Sequence, residues 1–343
     1  MTSIFIFISG ATLLVYSAER LISSLVGVSR GLRISVFLLA IIFTGIEFDD
    51  IVLGVALNLE DESEAALGLV LGTAVSFTGI VLALGAILTP TQFTIPREYI
   101  VIFAVAPLIM IVFAVREEVT AVDAAVLLVL FIAWIAYVAY REMRRETATF
   151  RNLEIVEELE DDDEDDADPV RAQAVATMSP FSPDGRYSGW LNLGIAVLAL
   201  SGIIIGAATV SEGTEQILDR YGIEGTVFGA TFVTAVLCIE DLFLTVQPIR
   251  KGVPEIGIGN VIGSLVFSVT GKLGIIVLAG GTIAIGSNVL RWHLPVLVGL
   301  TALAAYFLST GHLKRWHGYV LLALYVGYWI VSFSVYGGAP VED

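Results

Sequence analysis

Apolar runs of about twenty residues follow one another along almost the whole chain, and no other feature limits its fold so tightly. Inside a bilayer every backbone N–H and C=O must find its partner within the protein, so only helices or a closed barrel can span it. The alternating pattern of barrel strands is absent, and 56% of the 343 residues are hydrophobic against 15% charged. The chain is therefore expected to be an all-α polytopic membrane protein whose partner is the lipid bilayer and not nucleic acid. Ten transmembrane helices are expected, at residues 3–26, 34–58, 65–88, 99–115, 120–140, 190–210, 226–249, 256–285, 289–309 and 317–336. No basic region precedes the first run and no small-residue cleavage site follows it, so it reads as a membrane helix and not as a cleaved signal.

Residues 141–189 separate two groups of five and hold the tract Glu157-Glu158-Leu159-Glu160-Asp161-Asp162-Asp163-Glu164-Asp165-Asp166. Like charges at that density repel one another and bury no core, so the segment reads as an acidic linker. Basic residues set the orientation. Arg30, Arg33, Arg97, Arg141, Arg144, Arg145, Arg250, Lys251, Lys314 and Arg315 fall on one side, opposite Arg116, Arg220 and Arg291. By the positive-inside rule, in a cell membrane, the linker is cytoplasmic and both termini lie outside. Residues 1–140 and 190–343 then enter the membrane in opposite senses, the inverted-repeat arrangement of secondary transporters.

The second apolar run carries Glu47, Asp49 and Asp50 where a lipid-spanning helix is expected. Each charged side chain near the bilayer centre costs roughly 2.5–3.5 kcal/mol even on the mildest scale, so three together need protonation, partners or a bound cation. A shift of 191 positions sets Gly31 on Gly222, Val36-Phe37 on Val227-Phe228, Asp49-Asp50 on Glu240-Asp241 and Gly68 on Gly259. The same shift sets Val70-Leu71-Gly72-Thr73 on Val261-Ile262-Gly263-Ser264. Apolar matches between membrane helices mean little; a matched intramembrane acid pair followed at one distance by Gly-x-x-x-Gly-Thr/Ser is hard to obtain by chance. The repeated units span about 35–88 and 226–285.

In the first unit Glu47 and Asp50, three residues apart, are expected on one face of a continuous helix, with Asp49 turned about 100° from Asp50. In the second, Thr234, Cys238 and Asp241 share a face and Glu240 lies alongside. The next helix of each unit adds Thr73, or Asn260 and Ser264, among glycines spaced for close helix approach. Carboxylates, hydroxyls and freed carbonyls are the ligands of hard cations such as Ca²⁺, Na⁺ or Mg²⁺. A soft-metal site needs sulfur or imidazole, which one cysteine and three histidines near the span ends do not assemble.

These two units resemble the alpha-repeats of the cation/calcium antiporter superfamily, whose best-known branch is the sodium/calcium exchangers. That family carries an acidic helix of the type Gly-Thr-Ser-x-Pro-Glu, followed by Gly-Asn-x-x-Gly-Ser-Asn on the next helix. Gly259-Asn260-Val261-Ile262-Gly263-Ser264 reproduces the second motif. By spacing, the resemblance implies that Asp50 and Asp241 stand at the paired essential glutamates, and that Thr73 and Ser264 stand at the hydroxyl ligands. Departures are also clear: Gly45-Ile46-Glu47 and Val236-Leu237-Cys238 replace Gly-Thr-Ser, and Asp49 and Glu240 replace the proline. Phe77 and Ser268 occupy the later amide or acid positions. Lys272, two turns past Ser264, is expected either to snorkel or pair with a nearby acid, or to serve as a built-in cation on Asp241 or Glu240.

The expected function is a secondary antiporter, not an enzyme, that exchanges a divalent cation against Na⁺ or H⁺ by alternating access. Ca²⁺ is the first choice, with Mg²⁺ or Mn²⁺ as alternatives. The metal-binding set is Asp50, Asp241, Thr73, Ser264, Glu47, Glu240 and Asp49, with Lys272, Cys238, Asn260 and Ser268 as gating or charge-compensating residues. No cofactor is expected, because the ions are cargo. A cation channel could carry the same site, but inverted symmetry favours a carrier. An intramembrane aspartyl protease also uses two membrane aspartates, in Tyr-Asp and Gly-x-Gly-Asp contexts that this chain lacks.

Overall fold

Where apolar sequence runs uninterrupted the chain forms long helices, and where glycine and acid interrupt it the helices break. The computed structural model describes residues 2–32, 34–60, 62–143, 189–220, 238 and 240–335. Most of the expected linker, the first part of the expected seventh span and Thr234 lie outside the described residues. The helices are α1 (Thr2–Leu32), α2 (Val36–Phe43), α3 (Phe48–Leu59), α4 (Ser63–Leu88), α5 (Arg97–Ala114) and α6 (Ala121–Met143). In the second half they are α7 (Gly189–Arg220), α8 (240–250), α9 (Pro254–Gly280), α10 (Val289–Ser309) and α11 (Arg315–Val335). Eight helices among the described residues are long and apolar enough to cross a membrane.

One expectation needs correcting, and two helices run on beyond the spans expected for them. Residues 34–58 are not one helix: the chain leaves helical geometry between Phe43 and Phe48, so α2 and α3 are separate pieces. The first and sixth spans also outrun their apolar cores. At 31 and 32 residues, α1 and α7 extend over about 46–48 Å, well beyond a hydrocarbon thickness of about 30 Å. They run antiparallel along each other, with Phe7 against Gly213, Leu14 against Gly206, Ser17 against Gly202 and Gly27 against Asn192. Small residues at these crossings let the two backbones approach closely.

Burial separates core from lipid-facing helices. α4 and α9 are 83% and 89% buried over their most apolar windows, against 28–33% for α1, α6, α7 and α11. Val101, Val105, Leu108 and Val112 form one exposed face of α5, the spacing of a helix side turned to lipid. α2 packs on the N-terminal part of α9, and α3 lies against both α4 and α9. The C-terminal half of α4 takes α11 as its neighbour, and the C-terminal half of α9 takes α6.

The repeat register reappears in backbone detail. α4 contains a π-helical turn at Phe77–Val81 and α9 one at Ser268–Lys272, offset by 191 residues to the residue. Such turns widen the helix by one residue, re-aim the side chains beyond them and occur often at functional sites. Short strands join the halves at two places: β1 (Thr91–Gln92) pairs antiparallel with β4 (His312–Leu313), and β2 (Glu118–Val119) with β3 (Ile283–Ala284).

Candidate cation site

The site begins at the break between α2 and α3. The hydroxyl of Thr44 donates to the Ala40 carbonyl at 2.8 Å, and the Gly45 N–H donates to Ala40 and Ile41, both at 3.1 Å, which closes α2. At Gly45 the backbone touches α9: a Cβ there would lie 2.9 Å from the Gly263 Cα and 2.7 Å from the Ile41 carbonyl oxygen. No side chain fits that gap. α3 then restarts with Glu47 at its N-cap position and Asp49 and Asp50 in its first turn. A helix N-terminus presents unpaired N–H groups and a positive dipole end, so the break itself makes this a favourable place for carboxylates inside the membrane.

Facing them is Lys272, fully buried on the π turn of α9. An ammonium has three donors and accepts nothing, and here each donor has an oxygen. It lies 2.5 Å from Asp50 Oδ2 and 2.9 Å from Thr73 Oγ1, and it forms an ion pair with Glu47. The Ser268 hydroxyl donates to Glu47 Oε2 at 3.3 Å. Glu47, Asp50 and Thr73 are themselves 8%, 4% and 5% exposed, so charge and counter-charge are held away from water. Lys272 therefore does not snorkel, and its partners are the acids of the first unit, not the expected Asp241 or Glu240. The reason is geometric: α3 lies against α9, which brings its first turn onto the π segment.

The second acid pair shares a cavity with the first. Its lining comprises Phe43, Thr44, Ile46, Glu47, Phe48, Asp50 and Thr73 from the first half, with Leu200, Ile204, Cys238, Glu240, Asp241 and Leu244 from the second. Glu240 and Asp241 lie at the N-terminal end of the described part of α8, just after the helical Cys238, and are half-buried. The Asn260 amide donates to Thr245 Oγ1 at 3.2 Å and to the Asp241 carbonyl at 3.5 Å, tying α8 to α9. Ser264 is buried beside the Gly45–Gly263 contact, off the cavity lining, and its hydroxyl has no hydrogen-bond partner among the described residues. The Asp49 side chain lies outside the described residues. Among the described residues, no three His, Cys, Asp or Glu side chains converge as a preformed metal site does.

Of the residues singled out by spacing, Glu47, Asp50, Thr73, Cys238, Glu240 and Asp241 thus meet at one cavity, and Ser268 and Lys272 lie against it. Leu200 and Ile204 are additions, since in sequence they look like any lipid-span residues. Thr245 is another, and its signal is a hydroxyl four residues after Asp241. The helix break is the third, although Thr44-Gly45 followed by acids carries the marks of a stop and a new N-terminus.

A family model described as sodium/calcium exchanger protein matches residues 2–140 and 191–334. The chain is 33% identical to the sodium/calcium exchanger MaX1 of Methanosarcina acetivorans over 140 residues, and that match spans only 40% of either chain. It is 23% identical to the putative antiporter CaxA of Alkalimonas amylolytica over 344 residues, covering 97% of this chain and 99% of the other. Its fold is similar to that of the sodium-calcium exchanger NCX_Mj, with a TM-score of 0.75 at 20% identity over 97% of this chain and 98% of that one.

Proposed function

The chain belongs to the sodium/calcium exchanger protein family, and from that premise we propose that it is a secondary antiporter exchanging Ca²⁺ against Na⁺ or H⁺ by alternating access. The observation that carries this reading is the shared cavity, lined by Glu47 and Asp50 from one repeat and by Glu240 and Asp241 from the other. In this reading Asp50 and Asp241 hold the divalent ion from opposite units and Thr73 adds a hydroxyl. Glu47, Asp49 and Glu240 set the charge of the site or take the coupling ion. The donors are all oxygen, so Mg²⁺ and Mn²⁺ are the competing divalent cargoes and no cofactor is required.

The antiparallel α1–α7 pair and the π turns in repeat register support ten membrane helices in two inverted five-helix units. So do the matching α4–α11 and α9–α6 contacts. These units would be 1–140 and 190–343, with the termini outside and the 141–189 linker cytoplasmic. Leu200 and Ile204 of α7 wall the cavity, so movement of the α1–α7 pair over the other helices would open it to one side at a time. Four clustered carboxylates with one buried lysine among them keep surplus negative charge that is costly to carry through the membrane without mobile cations, which favours exchange over one-way leak.

Purified protein in proteoliposomes tests this. Radioactive Ca²⁺ uptake is expected under an imposed outward Na⁺ or H⁺ gradient, each applied separately, and is expected to be lost in Asp50→Asn. Absence of uptake under both gradients, with wild type and Asp50→Asn alike, would sink the reading.

A further inference from the structure

We propose that the Lys272 ammonium is a resident, tethered cation: it fills a cation subsite formed by Glu47, Asp50 and Thr73, so that no free ion is needed there. This rests on the antiporter reading and says how one part of its site is occupied.

Two independent observations carry it. The first is the ligand geometry. Two carboxylates and a threonine hydroxyl around a single positive centre form the kind of oxygen set a hard monovalent cation takes, and Lys272 spends all three donors on them in a fully buried position. A free ion reaching Asp50 from the cavity finds that carboxylate already paired with the ammonium buried behind the lining.

The second is the broken symmetry of the repeat. Subtracting 191 from 272 gives Val81, and subtracting it from 268 gives Phe77; adding it to 47 gives Cys238. Lys272 and Ser268 of the second half thus have no counterpart in the first, and Glu47 of the first has none in the second, yet both Ser268 and Lys272 meet Glu47. A lone buried lysine or a lone extra glutamate would be an uncompensated charge in a low-dielectric interior. Together they form a matched insertion, one positive and one negative charge, laid over an acid, Asp50, that the repeat already had. Of the four carboxylates lining the cavity, two are thus engaged by the chain's own cation, and a divalent ion held between Asp50 and Asp241 must share Asp50 with that ammonium and compete with it for Thr73.

Full-length Lys272→Ala tests the proposal, with methylammonium as a free counterpart of the lost side-chain end. In proteoliposomes carrying equal methylammonium on both faces, Ca²⁺ flux through Lys272→Ala is expected to be low without methylammonium and to rise severalfold with it, while wild type does not respond. Thermal unfolding in detergent gives a readout that needs no transport. At methylammonium about ten times its dissociation constant, the folded-to-unfolded ratio of the variant should rise roughly tenfold, with no change in wild type. A variant that transports like wild type without methylammonium, or whose stability ignores it, overturns the proposal. Should Lys272→Ala not accumulate, the Lys272→Ala/Glu47→Gln pair removes both inserted charges and is expected to restore folded protein; no recovery overturns the proposal as well. Failure of wild type to move Ca²⁺ would sink the antiporter reading, while the stability response of the variant would still stand or fall by itself.

Discussion

The first half-site joins its acids to a buried lysine, and the positions equivalent to that lysine and to Glu47 in the second carry no charge. Asp50 stands with Glu47, Ser268 and Lys272, whereas the positions equivalent to those three about Asp241 are Cys238, Phe77 and Val81. Phe77 and Val81 are as deeply buried as Ser268 and Lys272, and both pairs ride on a π turn at the same place in α4 and α9. One backbone plan therefore carries two chemistries. The duplicated sequence and fold supply π turns at equivalent places, acid positions and closely spaced glycines, while charge is distributed unequally over them. That is what is expected when function resides in side chains grafted on a scaffold.

The most severe way to test this inequality is to neutralise one acid of each half. Asp241→Asn is expected to abolish Ca²⁺ uptake, because the counterpart of Lys272 in the repeat register is Val81 and supplies no charge; Glu47→Gln is expected to keep measurable uptake, because Asp50 and Thr73 still hold Lys272. Equal losses in the proteoliposome assay would mean that the two halves are not specialised. Next in size is Lys272→Met, which leaves two buried carboxylates without their counter-charge and should lower stability by about 3–5 kcal/mol. Adding Glu47→Gln should return a large part of that loss. Thermal unfolding of the single and double variants measures both, and simple additivity would mean that the two charges are not paired.

The polar half is harder to read from sequence than the repeat is. The 191-residue offset depends on local spacing, which helices preserve, so Asp50, Asp241, Thr73 and the glycine pattern align from the residues alone. The partner of Lys272 depends on which helix crosses which, and no spacing within α9 reveals that α3 lies against it. Glu47 is legible as an acid, but the stop that Thr44-Gly45 signals before it is outweighed by the long apolar run on either side, which reads as one span. Ser264 aligns as the twin of Thr73, yet Thr73 meets the ammonium while Ser264 is packed beside Gly263, off the cavity. Residues equivalent in sequence become inequivalent once a single lysine has chosen a side.

A milder test concerns the scaffold that the halves share. Gly45→Ala would push a methyl to 2.9 Å from the Gly263 Cα and 2.7 Å from a carbonyl oxygen, so α2 and α9 must separate. Overpacking of this kind costs about 1–3 kcal/mol. Gly263→Ala, whose added methyl lies 3.2 Å from Gly45 Cα, should cost less. Denaturation midpoints in detergent rank the two, and a reversed order would show that the contact is not what seats the helix break.

The smallest effect is expected at Ser268. Its hydroxyl donates to Glu47 Oε2 at 3.3 Å, a long bond to a carboxylate that Lys272 already neutralises. Ser268→Ala should therefore lower stability by about 1 kcal/mol, near the ordinary net value of a single hydrogen bond. Ca²⁺ uptake should be nearly unchanged. Ser268→Phe is the sharper variant, because phenylalanine is what the other half carries at Phe77. If the inserted polar set acts as a unit, the aromatic ring disturbs Glu47 and Lys272 together, and its cost should fall when both charges are removed by Glu47→Gln/Lys272→Met. A penalty that is the same in both backgrounds would mean that Ser268 is only a packing position, and that the polar half-site consists of the lysine and its two acids alone.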